Sequence, residues 1–343
     1  MRAGVKLMKA SQISSTRNKT ILLLILLLPI CILLNLCCGT VWVPIKEMVA
    51  ILFGNETGSV VAPIILYARL PRVVGCLAAG SALAISGAVI QSVLNNPLAA
   101  PNVIGVNAGA GAAVAICGAL VPTAVAFTPI AAFLGAFISV VLVFAISRHS
   151  GASKITLVLA GIAISGIFSA ITDSVVTLFP DALISYFDFR IGGLNNLYLE
   201  KILPAAGIII VASIAVFFFC GELDILMLGA ETAQSLGLPV KRFRLLMLTL
   251  AALLAGAAIS FAGLIGFVGL VIPHIMRHFV GEESFLLLLS SSLGGAIFLS
   301  LCDLIARVLF APYELPVGII LSLIGGPFFI WLLLSQRGGR KHG

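Results

Sequence analysis

Charge is what this chain has least of. Asp and Glu number 13 of the 343 residues and Lys and Arg 20, together 10%, against 61% hydrophobic residues and a mean hydropathy of +1.21. A soluble domain of that composition would have no polar surface left to face water. The seven cysteines (Cys31, Cys37, Cys38, Cys76, Cys117, Cys220, Cys302) show no C-x-x-C spacing and no neighbouring histidine. They read as buried small hydrophobes rather than a zinc or redox site. Nucleotide-binding loops and nucleophile–base arrangements are missing too. Gly109-Ala-Gly111 lies inside an apolar run rather than between strand and helix, so it is no phosphate loop. No catalytic residue, metal site or cofactor is therefore expected, and the chain does not read as an enzyme. The four histidines, His149, His274, His278 and His342, fall at the ends of apolar runs or in the tail.

What is there is a series of apolar runs. An α-helical span needs about 20 residues to cross a hydrocarbon core of roughly 30 Å, and only internally bonded helices suit runs this apolar. Ten fit: 21–38, 69–92, 102–121, 125–147, 154–178, 202–220, 243–262, 265–280, 285–308 and 316–334. The expectation is an all-α, polytopic membrane protein. It comprises a tail 1–20, one ten-helix domain over 21–334 with a polar loop 221–242, and a tail 335–343. Residues Ile21–Cys38 have the look of a signal peptide, but nine further spans favour an uncleaved first helix. Ten spans place both termini on one side. With both inside, 14 of the 20 basic residues are cytoplasmic and six (Lys46, Arg69, Arg72, Arg190, Lys201, Arg307) are outside. That is the bias of the positive-inside rule, so the net charge of +7 reports orientation, and nucleic acid is not an expected partner.

Gly105 and Gly109, and Gly161, Ser165 and Ser169, repeat a four-residue spacing that lets helix backbones approach closely. Residues 77–97 and 253–273 share seven identities in 21 positions, which fits either internal duplication or chance in a chain rich in Gly, Ala and Leu.

Four segments rise above composition. Arg69-Leu-Pro-Arg72 places Pro71 in the first turn of the second span and two arginines on one face. Cations are unfavourable at a helix N-terminus, so these arginines call for a partner carboxylate; snorkelling to lipid phosphate is the plainer alternative. Asn95-Asn96-Pro97-Leu98 forms an uncharged tight turn suited to a constriction, or simply to a turn. Leu223 to Pro239 contains a short helix over 230–236, with Glu231 early and Gly237 as terminator. Its exposed apolar residues need a cover, either a soluble partner or the membrane surface. Asp303 and Arg307, four apart, can pair within the membrane, with Glu314 nearby, whereas Asp173 has no local partner.

Together and in order, these segments resemble the FecCD-type permease subunits of ATP-binding-cassette (ABC) importers for iron-siderophores, haem and vitamin B12. The resemblance runs from about Arg69 to Leu334. It is carried by RLPR, GSALAISGAVIQSVLNNPLAAPNVIGVNAGAG, LAGIAIS, LMLGAETAQSLGLPV, GFVGLVIPHIMRHFVG, CDLIARVLFAPYELPVG and LIGGPFFIWLLL. Two positions depart from the pattern: Phe189 stands for a usual Trp and Leu264 for a usual Pro.

The resemblance implies a pair of permease subunits, as a homodimer or with a paralogue. Two cytoplasmic ATPase subunits would dock below, and an extracytoplasmic substrate-binding protein would deliver cargo above. The setting would be a bacterial or archaeal plasma membrane. It further implies binding-protein docking by Arg69, Arg72 and Arg307, and a cytoplasmic gate at Asn96 and Leu98. ATPase coupling would fall to Gly229, Ala230, Glu231, Ala233, Gln234, Leu236 and Gly237. A pathway lined by small apolar residues suits a chelated cargo: ferric siderophore, haem or cobalamin. The rival reading is an ion-coupled secondary transporter using Asp173 or Asp303, with a membrane scaffold or enzyme a distant third.

Overall fold

Helices α3 (Leu70–Leu94) and α11 (Val240–Ala262) form the centre of the molecule, each with 78% of its apolar window buried. The computed structural model describes residues 2–39, 41–54, 61–121, 125–149, 154–195 and 197–338, and within these every regular element is helical. Residues 339–343 of the expected tail lie outside them. The remaining elements are α1 (Arg2–Cys37), α2 (Ile45–Leu52), α4 (Val106–Leu120), α5 (Thr128–His149), α6 (Lys154–Leu178), α7 (Asp181–Ile191), α8 (Leu199–Phe218), α9 (Cys220–Met227), α10 (Ala230–Ser235), α12 (Val268–Val280), α13 (Ser284–Val308) and α14 (Val317–Gly338).

Around the centre, α3 packs on α13, α11 and α12, while α11 also meets α5 and α8. α4 lies against α5, α6 and α7, and α1 lies against α13. Segment 77–97 thus falls mostly on α3, while 253–273 runs from the end of α11 through the following turn into α12. α1, α6 and α8 are the outer members, each with only 28% of its window buried. Apolar side chains that point away from the core, such as Leu22, Ile162 and Ile210, suit contact with lipid.

Seven of these helices are long and apolar enough to span a bilayer, and three shorter apolar ones (Val106–Leu120, Val268–Val280, Val317–Leu332) bring the series to ten. Two expected spans begin late for a backbone reason. Residues 102–121 start as a 3₁₀ turn, Pro101–Ile104, and Gly105 at φ +82° breaks the path before α4 begins. In 265–280, Phe267 takes a left-handed φ of 64° immediately ahead of α12. The second span starts earlier than expected, because a π-helical segment, Ile64–Arg69, feeds directly into α3. The expected tail 1–20 is helical from Arg2 onward and continuous with the first span.

Glycines set how closely the inner helices approach. A Cβ on Gly87 would fall on the backbone of Gly269, one on Gly80 on the carbonyl of Gly295, and one on Gly109 on the carbonyl of Gly135. The four-residue stripes are followed only in part: Gly161 lies against the carbonyl of Val103, and Gly105, just outside α4, against Ser139, whereas Ser169 is exposed. Because backbone cannot swing aside as a side chain can, Gly87→Ala must push α3 and α12 apart. Overpacking of this kind costs about 1–3 kcal/mol, so a lowered midpoint of thermal unfolding in detergent is expected. A parental midpoint would show that this contact yields freely.

The two departures from the family pattern meet in space. The Leu264 backbone N–H donates to the Phe189 carbonyl at 2.9 Å, a bond that a proline at 264 could not make. It ties the turn after α11 to α7.

Candidate functional sites at the two ends of the bundle

α3 separates the two candidate regions by about 37 Å, its 25 residues rising 1.5 Å each. At its first turn Arg69, Arg72 and Arg307 come together, but they are not surface charges. Their relative exposures are 4%, 8% and 3%. The carboxylate that Arg72 called for is Asp303, which is fully buried. Arg72 Nε donates to its two oxygens at 2.9 and 3.0 Å, while Nη1 donates to Glu314 Oε2 at 2.6 Å. From the other side, Arg307 Nε lies 3.3 Å from Asp303 Oδ2, the expected pairing one helical turn apart, within ionic range but without hydrogen-bond alignment. Arg307 Nη2 instead donates to Asn35 Oδ1 at 2.6 Å. Asn35 Nδ2 in turn donates to the carbonyls of Cys31 and Ser300, both at 3.1 Å.

Arg69 resolves the unfavourable placement noted in the sequence. Its guanidinium reaches across to the end of α1, donating to the carbonyls of Leu36 (2.6 Å), Cys37 (3.0 Å) and Val41. The Leu36 and Cys37 carbonyls have no partner within their own helix and carry its negative dipole end. One cation thus caps the C-terminus of α1, and it stands not at a free helix N-terminus but at the junction where the π-helical segment Ile64–Arg69 runs into α3. The whole arrangement joins α1, α3, α13 and the segment holding Glu314.

At the far end, Asn95 closes α3 in a left-handed conformation with φ 48°. Asn96 Oδ1 accepts from the Leu98 N–H at 3.0 Å, and the Asn96 N–H donates to Gln91 O at 3.0 Å. Asn96 is exposed and Leu98 half-buried, so the turn is rigid and faces outward. Nearby stands α10. Its flanking residues Gly229 (φ +112°) and Gly237 (φ +88°) adopt backbone conformations that L side chains rarely take, which is why the helix is so short. Only Ala233 anchors it in the core. Ala230, Glu231, Gln234, Leu236 and Gly237 are exposed and Gly229 is partly so.

The site residues thus divide into a buried cluster at one end and a presented surface at the other. Sequence reasoning missed three members. Asn35 sits as a lone amide in an apolar span, which was the available signal. Asp224, in α9, accepts from the Ser284 N–H at 2.8 Å and so caps α13. Arg277 Nη1 donates to Gln91 Oε1 at 2.9 Å, joining α12 to α3.

The acidic residues of the rival reading fare differently from each other. Asp303 is consumed by two arginines. Asp173 is exposed on α6, where its backbone carbonyl accepts from Thr177 Oγ1. Among the described residues no cluster of three or more His, Cys, Asp or Glu could hold a metal ion.

Residues 25–335 match the FecCD transport family. The chain belongs to that family. As a permease it is 36% identical over 296 residues to a hemin transport system permease protein of Yersinia pestis, covering 84% of this chain and 89% of that one. It is 37% identical over 283 residues to a cobalamin import system permease protein of Halobacterium salinarum, covering 82% and 75%. Among solved structures, an inward-facing metal-chelate type ABC transporter superposes with a TM-score of 0.81 at 28% identity, over 93% of this permease and 99% of that chain. The permease is therefore a multi-pass, all-helical membrane protein of the ABC transporter class.

Proposed function

We propose that this chain is the membrane-spanning subunit of an ABC importer for a chelated iron compound, with a ferric siderophore first and haem or vitamin B12 next. The observation that carries the reading is α10: a glycine-bounded helix, rooted by one alanine, that presents Glu231, Gln234 and Leu236 to a partner. A presented surface beside a bundle with no phosphate-binding loop fits a division of labour in which two separate ATPase subunits supply the energy. In this reading α10 and its flanking glycines form the coupling surface, and the end of the molecule that carries them, with both termini, is cytoplasmic.

The Asn96–Leu98 turn would act as a gate only in a pair of permeases, since within one chain it closes off nothing. Burial changes the part assigned to the three arginines. They act as positioning residues beneath the docking face, holding the rim that carries Glu314, rather than as free charges that meet the binding protein directly. The names of related permeases, for hemin and cobalamin among them, support a large chelated cargo.

Proteoliposomes test the proposal. Uphill uptake of a ferric siderophore is expected only when ATPase subunits, binding protein and ATP are all present, and it should persist when ion gradients are collapsed. Accumulation by the permease alone, driven by a proton or sodium gradient, would overturn it.

A further inference from the structure

A cavity of about 310 Å³ opens beside the Asn95–Pro97 turn, between the C-terminus of α3, the end of α9 at Met227 and the polar face of α12. Its walls carry Asn95, Asn96, His274, Arg277, His278 and Glu282. This is an unusual concentration of polar side chains for so apolar a bundle, and it is rich in donors. Of the five N–H groups on Arg277, one is used, by Gln91 Oε1; among the described residues no carboxylate pairs with it. Glu282 shares the wall without a direct ion pair to that guanidinium, but its charge acts on Arg277, so a bound anion must be held against it. The Asn96 oxygen is committed to the Leu98 N–H, which leaves its NH₂ free. His274 Nδ1 is buried without a hydrogen-bond partner. Among the described residues the one hydrogen bond of this partly buried guanidinium is to a neutral amide, so its other N–H groups are left to face the cavity, and hydrogen bonds between charged groups are the stronger ones.

We infer that this cavity is a binding site for a small oxyanion, a carboxylate or phosphate group, held by Arg277 with the amides of Asn95 and Asn96 and the imidazoles of His274 and His278. Two sources share that chemistry: a carboxylate borne by the departing chelate, and inorganic phosphate released by ATP hydrolysis. The site adjoins both the proposed gate and the coupling segment, so an anion there would bridge α3 and α12 where they already meet through Gln91 and Arg277. The inference rests on the permease reading for the side to which the cavity opens and for the two anion sources, while the site itself stands on the residues of the cavity wall.

The test is calorimetric titration of the full chain, in nanodiscs of neutral phosphatidylcholine, with citrate in one arm and inorganic phosphate in the other. Binding in either arm is expected, with Arg277→Gln weakening it at least about tenfold and His278→Asn about threefold. Citrate alone would point to cargo, phosphate alone to the hydrolysis product, and both to the shared chemistry. No heat in either arm up to about 10 mM would overturn the site, as would binding that both substitutions leave unchanged. Should Arg277→Gln fail to fold, the exposed His278 carries the comparison, and unchanged binding in that variant counts against the inference. Because the titration needs neither ATPase nor transport, its failure leaves the uptake experiment intact, and the reverse also holds.

Discussion

Asp303→Asn is expected to lose about 3–5 kcal/mol of stability, the usual consequence of removing one partner from a buried ion pair. The reason lies in what is left behind. Asp303 is the only fully buried anion between Arg72 and Arg307, and Glu314, about a third exposed, reaches only Arg72. The asparagine would keep the shape but leave two desolvated guanidinium groups facing each other, Arg72 holding only Glu314 and Arg307 only Asn35. Thermal unfolding of the purified permease should show a large drop in midpoint together with a poor folded yield. Adding Arg307→Gln to the same chain should restore part of the loss, because it removes one of the stranded charges. Coupling of this kind is what a double-mutant cycle measures. A single variant as stable as its parent would mean that water reaches this cluster and that its burial carries little energy.

Leu236→Asp is the second large effect, and it is functional rather than structural. Leu236 is 61% exposed and follows directly on α10, so the bundle gains little from it and the variant should fold and melt like the parent. If α10 seats in an ATPase, however, a carboxylate would enter a desolvated contact. Interface anchors typically contribute about 2 kcal/mol or more, which corresponds to a loss of roughly thirtyfold in complex affinity. ATP-driven uptake should fall at least tenfold at limiting ATPase concentration, and co-purification of the ATPase should fall with it. Normal coupling in a normally folded variant would remove α10 from the role proposed for it.

What the sequence disclosed follows the range over which each interaction acts. Apolar runs, the close approaches at Gly109 and Gly161, the Asp303–Arg307 turn and the Gly237 stop are local patterns, and the structure repeats them. Arg72 and Asp303 are 231 residues apart, and Arg69 bonds to carbonyls, which no side-chain pattern encodes. RLPR called for a partner carboxylate, and the family resemblance assigned its arginines to docking; only tertiary placement reveals that they are buried among α1, α3 and α13. The late starts of α4 and α12 hinge on single residues at positive φ, Gly105 and Phe267, and hydropathy is blind to such torsions. The roles of the gate, coupling and docking residues depend on partners that lie outside a single chain.

The Asp224 cap gives α13 a mechanical meaning. This one unbroken rod of 25 residues, about 37 Å long, begins where the α9 carboxylate grips Ser284 and finishes beside the salt-bridge cluster on the opposite rim. A tug on the foot of the molecule therefore need not travel through a relay of side chains. It arrives at the far lip as the tilt of a single stiff strut.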